Sequence, residues 1–352
     1  MSRFSGTYQL ADVEFLLQVR QIPSYSIAQK EALIGQGVHY GHLLSREQAP
    51  SALYQNLFTS SLARNAPRLA QNILSLAHAL RAKQKTVLVS LARGGTPIGV
   101  LLKRSLELLG VTVKHYSVSI IRDHGIDALA LATIAKQHDD QSLAFIDGWT
   151  GKGMIAKELK NSVSVFNQQH KRQIASDLWV LSDPAGVADT AATRLDYLLP
   201  NAMLNSTISG LISRSTLSQD GGYHAVMELP ELAAYDVSSS FVSQMMAVIE
   251  QQLEQKPAPV LGACPEQQQR CQKVITALAE QYHVSPNYIK PSIGEATRVL
   301  LRRQPQALLL RYSTPDTLHL EQLAAQKCPI IYGDIPYAAI AIIDRHHPQE
   351  SV

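Results

Sequence analysis

One strand–loop–helix stretch constrains the fold of this chain more than any other part of the sequence. The apolar run Leu143–Ile146 ends in the carboxylate of Asp147, and a short loop with Gly151 and Gly153 leads into the helix-compatible residues 155–160. This order of segments predicts a βα unit of a parallel sheet. Such a loop aims backbone N–H groups and a helix N-terminus at one point, which favours binding of a phosphate.

The side chains around this loop favour a sugar phosphate as the ligand. Asp147 ends the predicted strand and can accept hydrogen bonds from ribose hydroxyls. Thr150 can donate a hydroxyl group, Lys152 adds a positive charge, and the backbone N–H groups through Met154 can hold a 5-phosphate. The spacing of a Walker loop is missing, and so is the Gly-x-Gly-x-x-Gly dinucleotide pattern. The stretch therefore predicts a ribose-5-phosphate site, with an ordinary strand-to-helix turn as the alternative.

A second glycine loop follows another apolar run. Thr86–Ser90 is β-branched and suits a buried strand, and Arg93-Gly94-Gly95 then leads into a predicted helix. A strand predicted over residues 111–121 completes a βαβ unit, which implies a parallel sheet with a right-handed crossover. Arg93 adds a positive charge and paired N–H donors to this turn, beside the N–H groups of Gly94 and Gly95. A plain glycine-rich strand-to-helix turn is the alternative.

Three polar segments are predicted to border the same site. Arg122 begins a turn-like stretch after the strand at 111–121 and can contribute a second guanidinium group. Asp183 ends a strand predicted over residues 177–183, and residues 197–216 are short of acids and rich in hydroxyls and amides. These groups suit hydrogen bonding to a neutral ligand, and equally suit caps and turns. The candidate acceptor-binding residues are Asp183, Asn205, Ser206 and Arg214.

Composition limits the class of protein. The chain has 352 residues, 45% of them hydrophobic and 17% charged, enough for one large or two ordinary globular domains. It contains no apolar run of about 18 residues and no apolar N-terminal core of a signal peptide. Three cysteines without a Cys-x-x-Cys pair suit a reducing cytoplasm. His39 and His42 have metal-ligand spacing, but no third ligand lies nearby, so a packed or substrate-facing turn is favoured.

Residues 251–259 are polar and end in proline, which predicts a linker. After it, the alternation of helix-like and strand-like segments begins again. Beyond it, helical and β-branched runs alternate and predict a compact α/β unit. Arg298 and Arg302 recur at helical spacing, but the net charge of the whole chain is only +3. RNA contact by this unit is one interpretation, and a docking or architectural domain is the other.

The two glycine loops resemble those of type I phosphoribosyltransferases. Residues 147–153 are similar to the loop that binds phosphoribosyl pyrophosphate (PRPP), although Gly148 stands where a second acid is usual. Residues 93–95 are similar to the pyrophosphate loop of the purine enzymes. The resemblance implies catalytic roles for three residues: Asp147 on the ribose hydroxyls, Arg93 on the pyrophosphate, and Arg122 on a mobile loop that closes over PRPP.

The start of one C-terminal helix resembles the pelota and ribosomal kink-turn RNA-binding family. Residues 293–298 read Ile-Gly-Glu-Ala-Thr-Arg, with Gly294 in place of the family's Asn. The resemblance implies an α-β-α domain. The residues it implies for RNA contact are Glu295, Thr297, Arg298 and Arg302.

The order of all these motifs is similar to that of a bacterial phosphoribosyltransferase family of tellurite-resistance and stress-response clusters, whose members also carry the label "cysteine protease StiP". The resemblance implies an α/β fold: a Rossmann-like type I phosphoribosyltransferase domain with a parallel sheet over residues 1–255, including a helical extension at 1–80, and a smaller pelota-like α-β-α domain over 260–352. The cysteines lie in the C-terminal part and outside any nucleophile-like turn, so the sequence argues against thiol chemistry.

The implied activity is that of a phosphoribosyltransferase, a pentosyltransferase that joins PRPP to a base-like acceptor and releases pyrophosphate. Mg²⁺ is expected to arrive bound to PRPP, with no metal site in the free protein. The alternative is a non-catalytic nucleotide-binding or RNA-associated module of a stress-response or tellurite-resistance system. The expected partners are PRPP, an acceptor that the sequence does not identify, and RNA at the C-terminal domain, with no membrane. The oligomeric state stays open, with a homodimer as one option.

Overall fold

The computed structural model describes residues 3–218 and 220–344. Its α-helices are α1 (Ile27–Gly35), α2 (Ala52–Ala82), α3 (Gly95–Leu108), α4 (Ala128–Ala135), α5 (Met154–His170), α6 (Ser238–Gln252), α7 (Pro265–Gln281), α8 (Ile293–Arg302) and α9 (Leu318–Ala324). Its strands are β1 (Glu14–Leu16), β2 (Gln18–Val19), β3 (Ser24–Tyr25), β4 (Leu44–Ser45), β5 (Val87–Ala92), β6 (Lys114–Ile121), β7 (Gly125–Ile126), β8 (Leu143–Trp149), β9 (Leu178–Ser182), β10 (Thr190–Thr193), β11 (Ala225–Val226), β12 (Ile289–Pro291), β13 (Pro305–Leu310), β14 (Ile330–Tyr332) and β15 (Ala339–Ile343).

A parallel sheet forms the centre of the N-terminal part. Its strand order is β1-β6-β5-β8-β9-β10, and each neighbouring pair runs parallel, with the short β7 antiparallel on the end of β6. The central strands are apolar runs buried on both faces, as in β5, where helices cover both sides of the sheet. The predicted α/β class with a parallel sheet is confirmed.

Helices cover both faces of this sheet. Residues of α2, α3 and α6 form one hydrophobic cluster with one face of the strands, and residues of α4 and α5 form another with the opposite face. The 31-residue helix α2 begins after Ser51, whose side chain accepts a hydrogen bond from the Tyr54 N–H. Among the described residues, no helix is both long and apolar enough to cross a membrane.

The N-terminal 80 residues are not helical throughout. Much of the predicted helical extension at 1–80 is the helix α2 (Ala52–Ala82), but Glu14–Leu16 form the strand β1. Glu14, Phe15 and Leu16 pair in parallel with Tyr116, Ser117 and Val118 of β6. A three-residue segment has little conformational preference of its own, and the open edge of β6 determines its structure.

The C-terminal part forms a four-stranded sheet of its own, in the order β12-β15-β13-β14. Strands β13 and β14 are parallel, whereas β15 is antiparallel to both of its neighbours. Helices α7, α8 and α9 flank it, so the predicted second α/β unit is present. The domain limits that the sequence suggested stay a prediction, and residues 345–352 lie outside the described residues.

The two parts pack through a shared apolar core. Buried side chains of α8, β13 and β15, among them Leu300, Leu308 and Ala339, belong to the same hydrophobic cluster as α2 and α3. The carboxylate of Asp196 accepts hydrogen bonds from Ile293 N–H at 3.1 Å and Ala338 N–H at 2.9 Å. Helix α8 is therefore fixed against the N-terminal part and is not a free surface.

Candidate functional site

The loops that the sequence singled out meet at one edge of the parallel sheet. The segments after β5, β6, β8 and β9 all leave the sheet at the carboxyl ends of parallel strands. Crevices at this edge are the usual ligand sites of open α/β sheets. The edge contains Arg93, Arg122, Asp147 and Asp183 from four strand ends, which is the convergence that the strand order requires.

The Arg93 guanidinium is already neutralised. Its Nη1 lies 2.7 Å from Glu47 Oε1 and 3.0 Å from the Ile212 carbonyl oxygen, and both charged side chains are about 15% exposed. Gly94 and Gly95 form the turn that the sequence predicted. A Cβ atom at Gly95 would lie 2.4 Å from the Ile146 carbonyl oxygen, so this loop approaches β8 as closely as only glycine permits.

Asp147 is a carboxylate with a strongly perturbed environment at this edge. Its Oδ1 accepts a hydrogen bond from the Gly148 N–H at 2.8 Å, and no Lys or Arg of the described residues lies within 4 Å of it. Burial raises the pKa of Asp147 to about 7, against the lowering effect of that N–H. A carboxyl group that changes charge near neutral pH in a crevice is a candidate proton carrier.

Asn201 was missed by the sequence interpretation and lies beside this carboxylate. It is 4% exposed, its Nδ2 donates to the Gly94 carbonyl oxygen at 3.4 Å, and a Cβ atom at Gly148 would lie 3.7 Å from the same nitrogen. Its Oδ1 is buried and has no hydrogen-bond partner in the described part of the chain. In the sequence, the one indication that Asn201 lies near the site was the amide-rich stretch that contains it.

The loop over residues 150–153 is held mainly by other protein groups. Thr150 is buried, and its hydroxyl donates a short hydrogen bond to Asp183, which also accepts the N–H groups of Val187 and Ala188 at 3.0 Å each. Gly153 has φ +80° and is the N-cap of α5. The Thr150 hydroxyl and the Asp183 carboxylate therefore satisfy each other instead of facing a ligand.

The next two residues of this loop turn towards the C-terminal part. The Gly151 carbonyl oxygen accepts from the Tyr337 hydroxyl at 3.1 Å, and Lys152 Nζ donates to the Pro286 carbonyl oxygen at 2.6 Å. Burial and then the charges of Lys290 and Arg122 lower the pKa of Lys152 to about 8. Met154 is exposed and begins α5.

Arg122 lies on a loop that is held on two sides. Its carbonyl oxygen accepts from the Tyr40 hydroxyl at 2.9 Å, and its Nη2 donates to Asn287 Oδ1 at 2.8 Å. In the next turn, His124 Nε2 lies 3.2 Å from His39 Nδ1. His39 and His42 lie near this loop. Among residues 3–218 and 220–344, no group of three or more His, Cys, Asp or Glu side chains could hold a metal ion.

The predicted acceptor residues serve local structure. Arg214 Nη2 donates to the carbonyl oxygens of Tyr40 and Leu43 at 3.0 and 2.6 Å, and its guanidinium lies 5.5 Å from the centre of the Tyr40 ring. Asn205 and Ser206 form the start of a short 3₁₀ turn, where Ser206 is 4% exposed. The structure brings Arg214 to the same edge as Arg93, but its Nη2 is already bonded to two backbone oxygens.

The predicted RNA residues of α8 differ in how far solvent reaches them. Thr297 is fully buried and bonds the Ile293 carbonyl oxygen and His319 Nε2, at 2.7 and 2.8 Å. Arg302 donates from Nε to the Tyr54 hydroxyl at 2.7 Å. Glu295 and Arg298 form an ion pair at 3.6 Å with about a third of each side chain exposed. Of the four residues, Arg302 is the exposed one, and Thr297 is the one that is buried.

Two of the three thiols lie against the loop after β9. Cys264 precedes α7, its N–H donates to the Gly186 carbonyl oxygen at 2.8 Å, and it is half-buried. Cys271 is 4% exposed, with Sγ 3.7 Å from the Pro184 carbonyl oxygen, and burial raises the pKa of this thiol. Burial also raises the pKa of Cys328. Among the described residues, no histidine ring forms a hydrogen bond with a thiol.

Comparisons with known proteins match both parts of the chain. A family model described as "Tellurite-like stress resistance cysteine protease StiP" matches residues 6–246, and one described as "PELOTA RNA binding domain" matches residues 269–345. A relative named "Cysteine protease StiP", from Acinetobacter baylyi (strain ATCC 33305 / BD413 / ADP1), is 40% identical over 365 residues, which cover 97% of this chain and 94% of the relative. A crystal structure from Burkholderia pseudomallei K96243, assigned as an aminotransferase, is 13% identical with a TM-score of 0.24 over 84% of this chain and 90% of that one, a likeness too low to bear on the fold.

These matches correct the predicted activity. The family model and the relative are both named for a cysteine protease, so the prediction of a PRPP-dependent phosphoribosyltransferase is wrong. A phosphoribosyltransferase type of Rossmann sheet is not confirmed. The pelota-like C-terminal domain and the stress-resistance family are confirmed. With a family model over residues 6–246 and a relative 40% identical over nearly its whole length, the chain belongs to the StiP family of tellurite-like stress-resistance proteins.

Proposed function

We propose that this chain acts in a stress response as a thiol-dependent hydrolase of peptide bonds, with Cys264 as the nucleophile. The observation that carries the proposal is the 40% identity, over 97% of the chain, to a relative named as a cysteine protease. The segment that matches the StiP family model, residues 6–246, contains no cysteine. A thiol nucleophile therefore has to come from Cys264, Cys271 or Cys328.

The surroundings of the three thiols favour Cys264. It is half-buried and so within reach of a substrate, and it is the N-cap residue of the 17-residue helix α7. The partial positive charge at a helix N-terminus stabilises a thiolate, which is the attacking form of cysteine. Burial raises the pKa of Cys271 and of Cys328, which reduces the thiolate fraction of both.

The position of Cys264 also suits a site at the sheet edge. The Gly186 turn against which it packs begins at Asp183, and Asp183 bonds Thr150 of the neighbouring loop. A Cβ atom at Gly186 would lie 2.9 Å from the Cys264 carbonyl oxygen, so the turn and the start of α7 approach closely. The Cys264 thiol would release its proton to water, and the thiolate would attack a peptide carbonyl. The C–N bond would break as the amine takes a proton from water, and a second water would hydrolyse the thioester to free the carboxylate and the thiol.

Hydrolysis of fluorescein-labelled casein by the full chain tests the proposal. We expect that Cys264→Ser lowers the rate at least a hundredfold, because a serine hydroxyl is far less ionised than a thiol at neutral pH. Cys328→Ser is the matched control and should keep most of the activity. Equal rates in the wild type and Cys264→Ser, or no hydrolysis by the wild type above buffer, would contradict the proposal.

The earlier predictions of location and partners do not enter this proposal. A cytoplasmic location, a homodimer, RNA contact and the candidate site residues stay predictions. PRPP, a base-like acceptor and Mg²⁺ bound to PRPP also stay predictions, whereas the transferase activity itself is contradicted by the relatives.

A further inference from the structure

A group of cations lies where the two parts of the chain meet, apart from the thiols. Lys152 Nζ reaches the Pro286 carbonyl oxygen at 2.6 Å, and Arg122 Nη2 reaches Asn287 Oδ1 at 2.8 Å. Both residues come from the sheet edge of the N-terminal part, and both contact the short segment that leads into β12. Lys290 lies on that strand.

The backbone places Lys290 beside Lys152. A Cβ atom at Gly151 would lie 4.0 Å from the Pro291 carbonyl oxygen, so the residues just before Lys152 and just after Lys290 are close neighbours. The Tyr337 hydroxyl fixes the same loop by donating to the Gly151 carbonyl oxygen at 3.1 Å. The juxtaposition therefore depends on backbone contacts as well as on long side chains.

The positive charges of this group are only partly offset by neighbouring acids. Lys152, Lys290 and Arg122 make no ion pair with any carboxylate of the described residues. The carboxylate that acts on both lysines is Glu295, which is itself paired with Arg298 at 3.6 Å.

Burial and mutual repulsion act on the two lysines of the group. They lower the pKa of Lys152 to about 8, and burial, with the charges of Arg122, Arg298 and Arg303, lowers the pKa of Lys290. Half-buried cations that repel one another destabilise the empty surface, and an anion would relieve that cost.

We propose that Arg122, Lys152 and Lys290 form a composite site for a phosphate-bearing ligand at the junction of the two parts, with Arg298 and Arg303 extending it over the surface. Lys152 and Lys290 act as point charges, whereas Arg122 offers paired N–H donors to phosphate oxygens. The site needs residues from both parts of the chain, so neither part can form it alone.

Two further cations, Arg298 and Arg303, enlarge the positive surface, so the site could bind more than one phosphate group. Arg298 is half-buried and Arg303 is exposed at the end of α8, so the positive surface continues from the crevice outwards. A nucleic-acid backbone and a short polyphosphate share this chemistry. The site is independent of the proposed hydrolase, because none of its residues is a thiol or contacts one.

Binding of two probes to the full chain tests the site. Fluorescence anisotropy follows a fluorescein-labelled 20-nucleotide single-stranded RNA, and calorimetry follows inorganic tripolyphosphate, both at 50 mM and 200 mM salt. We expect at least one probe to bind, with affinity falling as salt rises because cations on the protein release condensed counterions. RNA binding alone would identify a nucleic-acid backbone as the ligand, and tripolyphosphate binding would identify a small polyphosphate.

A double variant with a matched control assigns the binding to these residues. Lys152→Gln/Lys290→Gln should weaken the bound probe at least tenfold and flatten its salt dependence. Lys171→Gln removes the same charge at the far end of α5, about 26 Å along the helix, and should change little. If the double variant has a lower melting temperature than the wild type, the single variant Arg298→Gln should still weaken binding of the probe. Binding of neither probe, or equal weakening by Lys171→Gln and the double variant, would overturn the proposal.

Discussion

Replacing Asp147 by asparagine should make the protein more stable at alkaline pH. Burial raises the pKa of Asp147 to about 7 in the folded chain, against 3.8 for an ordinary aspartate. Asparagine has nearly the same shape and keeps an oxygen that can accept the Gly148 N–H. The substitution therefore removes the charge and preserves the local hydrogen bond.

The magnitude follows from the two pKa values. The folded state retains the Asp147 proton up to about pH 7, and the unfolded state releases it near 3.8. Stability therefore falls as pH rises from about 4 to about 7, and the loss is complete above the folded pKa. One pKa unit corresponds to about 1.4 kcal/mol, so the full difference is up to about 4 kcal/mol, an upper value because part of the residue meets solvent.

Urea unfolding between pH 4 and pH 8.5 measures this difference. The free energy of unfolding of Asp147→Asn should equal that of the wild type near pH 4 and exceed it by about 2–4 kcal/mol at pH 8. Glu250→Gln, on the exposed face of α6, is the control and should shift stability by less than about 0.5 kcal/mol at every pH. A difference that does not change with pH would refute the assigned pKa, and a variant less stable at every pH would make Asp147 a structural cap.

Two further substitutions test the packing that forms the site. Asp196→Ala should lower the free energy of unfolding by about 2–4 kcal/mol in urea titrations, because it leaves the buried N–H groups of Ile293 and Ala338 without an acceptor; a loss below 0.5 kcal/mol would show that the junction does not depend on this carboxylate. Gly95→Ala should cost about 1–3 kcal/mol, since its methyl group would lie 2.4 Å from a backbone oxygen. Gly35→Ala, in a helix with nothing within 4 Å of the new methyl group, is its control and should be neutral or stabilising, so similar melting temperatures for the two variants would contradict the close approach at Gly95.

Local patterns predicted the centre of the fold well. The apolar runs of β5, β8 and β9, each followed by a turn, were sufficient for the parallel sheet, because strands buried on both faces need continuous apolar sequence. The same patterns placed four functional loops at one edge. They could not predict β1, whose three residues are a strand only because β6 offers them an open edge.

Contacts between distant residues decided the rest of the site. From the sequence, Arg93 was predicted to bind a phosphate with a free guanidinium group. In the structure, that group is paired with the carboxylate of Glu47, which lies 46 residues earlier in the chain. Thr297 reads as an RNA contact, but α8 faces the N-terminal core and the residue is fully buried. In the sequence, Cys264 lies in the C-terminal part outside any nucleophile-like turn, and only the fold places it against the Gly186 turn. None of these pairings leaves a local trace in the sequence.

The most direct test of the proposed hydrolase follows one thiol and the activity together. The protein is treated with iodoacetamide at pH 7, and each time point is divided between peptide mass spectrometry and the casein assay. Cys264 is half-buried at a helix N-terminus, whereas Cys271 is buried and burial raises the pKa of the half-buried Cys328. We therefore expect Cys264 to be alkylated first, with activity lost in proportion to its modification. Full alkylation of Cys264 with unchanged hydrolysis would contradict the proposal.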